Sequence, residues 1–448
     1  MSTAIWAGAA ERVITPPVGL DMTGFGGRPS GTLGVHDDLY ARALVLAEAG
    51  AAPERRIALV STDLLSLGFD IVARVRDGVR AATGIAPDGL FLNSTHTHHG
   101  PVSIHLRGLG RRDDAYVAAL ERNLVGVVAD AAARLAPARL AAGRAPVQLG
   151  VNRRVRRPDG RTDFGENWDA PADKAVRVLR VETAAGRPLA IVFNHACHAL
   201  FVGSMNLLTT ADFVAYSAAA LREALGPGLL PVFLQGCAGN INPVQGGQAT
   251  FDLAERMGRR LAEAAHAAWQ TATPLLGPLH AARRIIRLPL ADPPSVEEAR
   301  RRLDQEQQRL REVKATCTIR GHIEVQEGFV EWAEKLVALA GEGARPRFQD
   351  FELQALAVGS EFGLLGMPGE VFVEYAQQIE AASPFPHTMV LAYHNGCIGY
   401  VPTAAAFPEG GYEVNTAILL YGDLMMKPES EALIVREAVE LLRQVRPA

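Results

Sequence analysis

The sequence predicts an α/β fold in which a mixed, largely parallel central sheet is flanked by helices. Short apolar runs recur along the chain, and segments with helical patterning separate them. Continuous apolar runs are typical of strands that are covered on both faces, as parallel strands are in α/β proteins. The helical segments between the runs would supply the crossover connections that parallel strands need.

The predicted elements follow one another in a regular order. Strands are predicted at 56–63, 89–101, 189–198, 229–236, 362–370 and 388–396. Helices are predicted at 69–82, 113–135 and 428–445, the last of them amphipathic and placed to close the domain. Because no repeat and no linker interrupts this order, we expect residues 1–448 to form a single domain.

One segment stands apart from this pattern. Residues 295–340 are rich in Arg, Glu and Gln, and they predict an exposed pair of helices. Such a charged segment is usually a solvated face. It could also be a lid over a site, or an arm through which the chain forms a homo-oligomer.

Bulk composition restricts the classes of function. The chain has 448 residues, of which 48% are hydrophobic, and a net charge of only -4. It therefore has no bulk attraction for nucleic acid, and we see neither a secretion signal nor an apolar run of membrane-spanning length. The four cysteines are widely spaced, which disfavours a disulfide framework. We expect a cytoplasmic protein without membrane insertion, and its Arg-rich and Ala-rich composition is typical of a bacterial source.

Histidines lie at the ends of two predicted strands. His96, His98 and His99 occur in NSTHTHHGP, and His195 and His198 occur in NHACHAL. Ligands of open α/β sheets bind beyond the carboxyl ends of strands. His96 and His98 could face one cleft, because alternate residues of an extended chain point the same way. One could bind a metal while the other contacts substrate, and His195 or His198 could reach the same metal or serve as a core hydrogen-bonding group.

Further residues could complete such a site. Asp212 and Asp63 are candidates for orienting an imidazole that binds a metal. Glu370 lies in GMPGE, and two histidines with one carboxylate are a common arrangement for hydrolytic zinc. Glu370 could instead cap the helix that follows. The glycine-rich segment QGCAGNINP (235–243) could expose backbone N–H groups to an anion, or it could be a plain tight turn.

Several short motifs, taken in order, carry a family resemblance. They are MTGFGG, VHDDLYARALVL, NSTHTHHGP, VNRR, NHACHAL, AGNINP, MPGE, GYVPT and YEV, and together they span most of the chain. Their order resembles the neutral/alkaline (non-lysosomal) ceramidase family, specifically its N-terminal catalytic domain. The resemblance implies a zinc amidohydrolase with one zinc ion per chain. Carried over by motif, the metal ligands would be His96, His198, Glu370 and Tyr400.

The same resemblance implies roles for other residues. His98, Arg153 and Tyr412 would bind substrate and stabilise the transition state, and Gly24 would lie near the scissile group. The serine to which the family's pattern assigns attack on the amide is replaced here by Asn242. Asparagine cannot be deprotonated to attack a carbonyl. Metal-activated water would then attack, with Asn242 positioning water or substrate.

We therefore predict a zinc-dependent hydrolase that cleaves the C–N amide bond of a small or soluble substrate. The chain shows neither the family's C-terminal β-sandwich nor a secretion signal, which favours a substrate more soluble than ceramide. An ester or lactone hydrolase on the same metal site is one alternative, because the metal chemistry is shared. A non-catalytic, metal-containing binding protein is the other. Another divalent ion such as Mn²⁺ could replace zinc, since Tyr and Glu are oxygen donors.

Overall fold

The computed structural model describes residues 4–343 and 345–447, so residues 1–3, 344 and 448 of the predicted domain lie outside the described part. The strands are β1 Ile5–Val13, β2 Gly34–Val35, β3 Tyr40–Glu48, β4 Ile57–Thr62, β5 Leu90–Ser94, β6 Ala136–Pro146, β7 Gly150–Arg156, β8 Thr162–Asn167, β9 Ala175–Thr183, β10 Pro188–His195, β11 Leu208–Thr209, β12 Leu230–Gln235, β13 Ile241–Pro243, β14 Thr273–Leu275, β15 Leu279–Pro289, β16 Phe348–Val358, β17 Phe362–Gly366, β18 Glu370–Val371, β19 His387–Leu391 and β20 Tyr400–Val401. The helices are α1 Phe69–Thr83, α2 Asp114–Ala133, α3 Phe213–Leu225, α4 Asp252–Gln270, α5 Val296–Thr316, α6 Arg320–Gly341, α7 Val373–Ala382, α8 Ala406–Glu409, α9 Ile418–Tyr421 and α10 Ser430–Val445. None of the helices in the described ranges is long and apolar enough to cross a bilayer.

Two main sheets form the centre of the fold. The larger sheet has the order β12-β10-β9-β6-β1-β3-β4-β5 with β14 beside β6, and the smaller sheet has the order β15-β16-β17-β19. The pairs β4–β5, β10–β12 and β17–β19 are parallel. The other described pairs of these two sheets are antiparallel. The prediction of a mixed sheet flanked by helices is confirmed, but the prediction that it is largely parallel is wrong.

The strands that the prediction does not include explain this error. The six predicted strands are the members of the three parallel pairs, whereas β1, β3, β6, β9, β15 and β16 make the antiparallel connections. Small residues weaken the apolar signal in β1 and β6, because helices lie very close there. A Cβ atom on Gly8 would lie 2.1 Å from the Ala131 carbonyl oxygen in α2, and one on Gly143 would lie 2.2 Å from that of Ala268 in α4.

The two sheets pack face to face, and helices cover their outer faces. Leu44 and Val192 of the larger sheet share one apolar layer with Leu356 and Leu364 of the smaller sheet. Helices α1 to α4 cover the outer face of the larger sheet, and α7 and α10 cover that of the smaller sheet. The result is a helix–sheet–sheet–helix stack around apolar layers.

Asn93 joins the carboxyl ends of three strands. This buried side chain, at the end of β5, accepts a hydrogen bond from the Gln235 backbone N–H at 2.7 Å and donates one to the Ala392 carbonyl at 2.6 Å. Gln235 ends β12, and Ala392 follows β19. The polar segments that follow β5, β12 and β19 are therefore held next to one another.

The segment 295–340, for which an exposed helix pair is predicted, contains α5 and most of α6. Helix α5 is largely exposed, while α6 packs Trp332 near Leu419 of α9. The Gly321 N–H at the start of α6 donates to the Arg28 carbonyl at 3.1 Å. Helix α6 therefore lies against the loop that follows Gly24, whereas helix α5 is solvated.

Candidate metal centre and active site

His96 is held by the backbone so that its Nε2 atom faces the centre of the site. It lies just beyond β5 with φ of +64°, a conformation that is uncommon outside glycine. The ring is buried, and its Nδ1 lies 2.8 Å from the Leu65 carbonyl oxygen. Because a carbonyl can only accept, Nδ1 donates this hydrogen bond, and in the neutral ring Nε2 then presents a lone pair.

His198 is held in the same way. Its Nδ1 lies 2.7 Å from the Ala238 carbonyl oxygen, so its Nε2 also presents a lone pair. The Gln235 amide donates to the carbonyls of Cys197 and Thr95 at 2.8 and 3.0 Å, which ties the His198 loop to the His96 loop. Burial lowers the pKa of His198 to about 4. The imidazole is therefore neutral at physiological pH, as a metal ligand must be.

His98 brings a third imidazole to this point. Its Nε2 lies 3.2 Å from the Nε2 of His96, and nitrogens of His96, His98 and His198 all lie within 4.8 Å of one another. Burial lowers the pKa of His98 well below its ordinary value. The ring packs 4.9 Å from the Phe25 ring, and Arg28 donates to the His98 carbonyl at 2.7 Å. By position, His98 could be a metal ligand or a substrate contact.

The carboxylate of Glu370 lies close to the Nε2 lone pairs of His96 and His198. Its Oε2 lies 3.5 Å from His96 Nε2 and 3.2 Å from His198 Nε2, and it has no hydrogen-bond donor among the described residues. Its Oε1 accepts a 2.5 Å hydrogen bond from Tyr421. Two lone pairs and a buried carboxylate oxygen repel one another unless a cation or proton lies between them, so this donor set fits a divalent metal. Helix α7 begins at Val373, and its N-cap residue Phe372 makes no side-chain capping hydrogen bond, which disfavours the capping interpretation of Glu370.

Tyr400 is aligned with Glu370 through backbone pairing. The short strands β18 and β20 run parallel, with Glu370 and Tyr400 directly opposite each other. Burial raises the pKa of the Tyr400 phenol, while the nearby Arg153 opposes that rise. The Tyr400 hydroxyl accepts a hydrogen bond from Arg153 at 2.9 Å. The Tyr400 hydroxyl and the His198 ring therefore contact the same guanidinium, that of Arg153.

Arg153 is the hub of the site. Its Nη1 lies 3.5 Å from His198 Nε2 and donates to Asn242 Oδ1 at 3.2 Å. Its Nε donates to Glu413 at 2.7 Å, and Arg154 donates to the second oxygen of Glu413 at 2.6 Å. All of these side chains except Asn242 are buried. This network fixes the Arg153 guanidinium between the His198 ring and the Asn242 side chain.

Tyr412 and Gly24 border the site from two sides. The Tyr412 ring lies 5.7 Å from the Tyr400 ring and lines a cavity of about 660 Å³ that also reaches Arg153. Burial raises the pKa of Tyr412, so its phenol stays protonated and able to donate. Gly24 has φ of +99°, and a Cβ atom there would lie 2.5 Å from the Cγ of His98. The backbone at Gly24 therefore touches the His98 ring.

Two aspartates do not orient the imidazoles as the sequence suggested they could. Asp63 pairs with Arg42 at 2.8 Å, and Asp212 accepts hydrogen bonds from the backbone N–H groups of Val202 and Phe213. The backbone carbonyls described above orient His96 and His198 instead.

The other two candidate histidines lie apart from the cluster. His195 Nδ1 lies 3.0 Å from the Ala175 carbonyl, and His99 Nε2 lies 3.2 Å from the Gly203 carbonyl. Both act as core hydrogen-bonding groups.

The glycine-rich segment after β12 serves as a tight turn. The N–H groups of Gly236, Gly239 and Ile241 donate to the carbonyls of His195, Val371 and Ala238. They are therefore not directed at an anion. The Ala238 carbonyl of this turn also accepts from the His198 ring, so the turn acts as a support for His198.

Sequence reasoning missed three residues that touch the site. They are Arg28, Tyr421 and Tyr393, whose ring stacks on His96 with centroids 4.0 Å apart. Tyr393 could have been found, because it lies in the predicted strand 388–396, just after the apolar run that forms β19. No motif marks Arg28 or Tyr421, which reach the site only through tertiary packing.

Comparison with known proteins gives the following similarities. Residues 6–243 match the family described as neutral/alkaline non-lysosomal ceramidase, N-terminal. The fold is similar to the crystal structure of neutral ceramidase from Pseudomonas aeruginosa, with a TM-score of 0.74 and 23% identity over 100% of this chain and 76% of that chain. It is also similar to a ceramidase complexed with C2, with a TM-score of 0.76 and 21% identity over 99% of this chain and 76% of that chain. No curated protein matches the sequence.

Proposed function

Because the chain belongs to the neutral/alkaline non-lysosomal ceramidase family, we propose that it hydrolyses the amide bond of a small, soluble substrate with the help of a bound zinc ion. The family prediction is confirmed, and membership places the chain among hydrolases that act on an amide bond. The identity of the metal, its ligands and the substrate class are the parts that we propose.

The single observation on which the metal proposal rests is that His96 and His198 converge on Glu370. Its Oε2 meets the lone pairs of His96 and His198 without a donor among the described residues. We assign His96, His198, Glu370 and Tyr400 as the ligands. When bound, the ion would polarise the substrate carbonyl and make a water molecule acidic enough to attack it. Two nitrogen donors with oxygen donors suit zinc, and Mn²⁺ is the alternative.

The remaining residues would position the substrate and stabilise developing charge. Arg153 presents a fixed cation beside His198, and the Tyr412 phenol lies at the edge of the cavity. His98, Arg153 and Tyr412 could therefore donate to an oxyanion, which is typically the largest contribution to acyl transfer. Asn242 cannot act as a nucleophile. The hydrogen bond that it accepts from Arg153 fixes its side chain, which suits it to orient water or substrate.

The cavity walls support a soluble substrate. Besides Arg153 and Tyr412, the cavity of about 660 Å³ is lined by Arg161, Asp163 and Glu409. Charged side chains at this approach would have to lose water against a long apolar chain, which is unfavourable. A compact substrate with polar groups avoids that cost.

Metal removal tests the proposed function directly. We expect about one zinc per chain by elemental analysis, and loss of at least about 100-fold in amide hydrolysis after chelation, because both water and carbonyl activation depend on the ion. Adding Zn²⁺ or Mn²⁺ back in turn identifies the better metal. An amide and its isosteric ester, assayed in parallel, separate an amidase from an esterase. A metal-free protein that gains no activity with any divalent ion would favour a binding protein instead.

Gly24→Ala tests whether the loop beside His98 belongs to the active site. The new methyl group would lie 2.5 Å from the His98 ring, so the ring must move. We expect amide hydrolysis to fall by about 100-fold, as displacement of a positioned group by about 1 Å can cause. Gly19→Ala is the matched control, because Gly19 has a similar φ of +100° but nothing lies within 4 Å of its added Cβ. Equal losses in both variants would point to backbone strain rather than to His98.

A further inference from the structure

An aromatic ring on the β7–β8 hairpin is held against the hub of the site although half of it is exposed. Phe164 lies in β8, where its neighbours are mostly exposed, and its own side chain is 52% exposed. The guanidinium carbon of Arg153 lies 4.9 Å from its ring centroid, and the Tyr412 ring lies 5.2 Å away. These cation–π and aromatic contacts fix a ring that would otherwise be free in solvent.

The exposed part of this ring borders the cavity beside Arg153. Phe164 lines the same cavity of about 660 Å³ as Arg153, Tyr412 and Phe407. The other walls carry mostly charged and polar groups, so Phe164, Phe407 and Tyr412 provide its aromatic lining. Phe164 thus provides apolar surface in this cavity directly beside Arg153 and Tyr412, two of the residues proposed to bind the scissile amide.

We propose that Phe164 is a substrate-binding residue that contacts an apolar arm next to the scissile amide and sets the preference for that arm. This inference rests on the proposed function and narrows the substrate to amides with one short apolar arm and a polar remainder. The ring offers no polar group to the reaction. It therefore acts on binding through apolar burial, not on cleavage of the bond.

Steady-state kinetics of Phe164→Ala and Phe164→Tyr test this role. The substrates are N-acetylglycinamide, which lacks an arm, N-hexanoylglycinamide, with an acyl arm, and N-acetylphenylalaninamide, with an arm on the amine side. For the armed amide that the wild type prefers, we expect Phe164→Ala to raise KM by about 10-fold and to change kcat by less than about two-fold. KM for N-acetylglycinamide should not change in Phe164→Ala. The Phe164→Tyr variant should have the wild-type KM for every substrate, because it keeps the ring.

Trp168→Ala is the matched control on the same hairpin. Trp168 follows β8 and is 58% exposed, but its indole N–H donates to Glu166 at 3.3 Å and its ring lines a different cavity. It should leave every KM unchanged. An unchanged KM for both armed amides in Phe164→Ala, or an equal loss of kcat with all three substrates, would overturn the proposal.

Failure of the proposed function gives a different result. If the zinc-loaded wild type cleaves none of the three amides, calorimetric titration of the same amides measures their binding without turnover. A Kd for an armed amide that is about 10-fold weaker in Phe164→Ala would still support the binding role. Equal Kd values in both proteins, or no binding to either, would overturn it.

Discussion

The His198→Ala variant is expected to retain no stoichiometric zinc and to lose at least about 1,000-fold in kcat/KM toward any amide that the wild type hydrolyses. The substitution removes one of the two lone pairs that face Glu370 Oε2, the nearer one at 3.2 Å. Of the proposed ligands, this leaves His96, Glu370 and Tyr400. That set holds a single nitrogen donor, whereas hydrolytic zinc sites normally hold two or three histidines. Elemental analysis of the purified variant and its hydrolysis rate would measure the two effects separately.

His195→Ala provides the matched control for this prediction. His195 is equally buried and lies three positions earlier, but its ring contacts the Ala175 carbonyl instead of the imidazole cluster. We expect this variant to keep its zinc and its activity per folded molecule, while the lost hydrogen bond lowers the free energy of unfolding by about 1–3 kcal/mol. Wild-type zinc content in His198→Ala would contradict the ligand assignment. Equal metal loss in both variants would indicate general unfolding.

The strands that deliver the site were predictable because burial on both faces leaves a continuous apolar run. The segments that contain β5, β10 and β12 were recognised in this way, and His96 and His198 were recognised by following those runs to their ends. The antiparallel strands β1 and β6 were not predictable by the same signal. In β1 and β6, close helix packing selects Ala and Gly, which leave no distinctive pattern.

The groups that orient the imidazoles could not be predicted from residue types. The carbonyls of Leu65 and Ala238 hold His96 and His198, and every residue carries a carbonyl. Carboxylates are common partners of metal-binding histidines, so Asp63 and Asp212 were reasonable candidates, yet both are used in backbone and ion-pair contacts elsewhere. Only the folded arrangement distinguishes these alternatives.

Glu413→Ala is expected to lower the free energy of unfolding by about 3–5 kcal/mol, because it leaves buried guanidiniums without their shared counter-ion. Glu413 accepts from Arg153 at 2.7 Å and from Arg154 at 2.6 Å, and the three side chains are at most 7% exposed. Glu409→Ala is the control. Glu409 lies 3.3 Å from Arg154 but is 37% exposed, and we expect its removal to cost less than about 1 kcal/mol. Denaturant unfolding of both variants measures the difference.

The acid limb of the stability curve gives an independent test of the same ion cluster. Burial alone would raise the pKa of Glu413, but Arg153 and Arg154 outweigh it and hold that pKa below its ordinary value. A carboxylate with a lowered folded-state pKa stabilises the protein above its unfolded-state pKa of about 4.3, and this contribution disappears as the pH falls through the folded-state pKa. The wild type should therefore lose more stability than Glu413→Ala when the pH falls below about 4. Parallel curves for the two proteins in this range would mean that Glu413 is not the ionised partner of the two arginines.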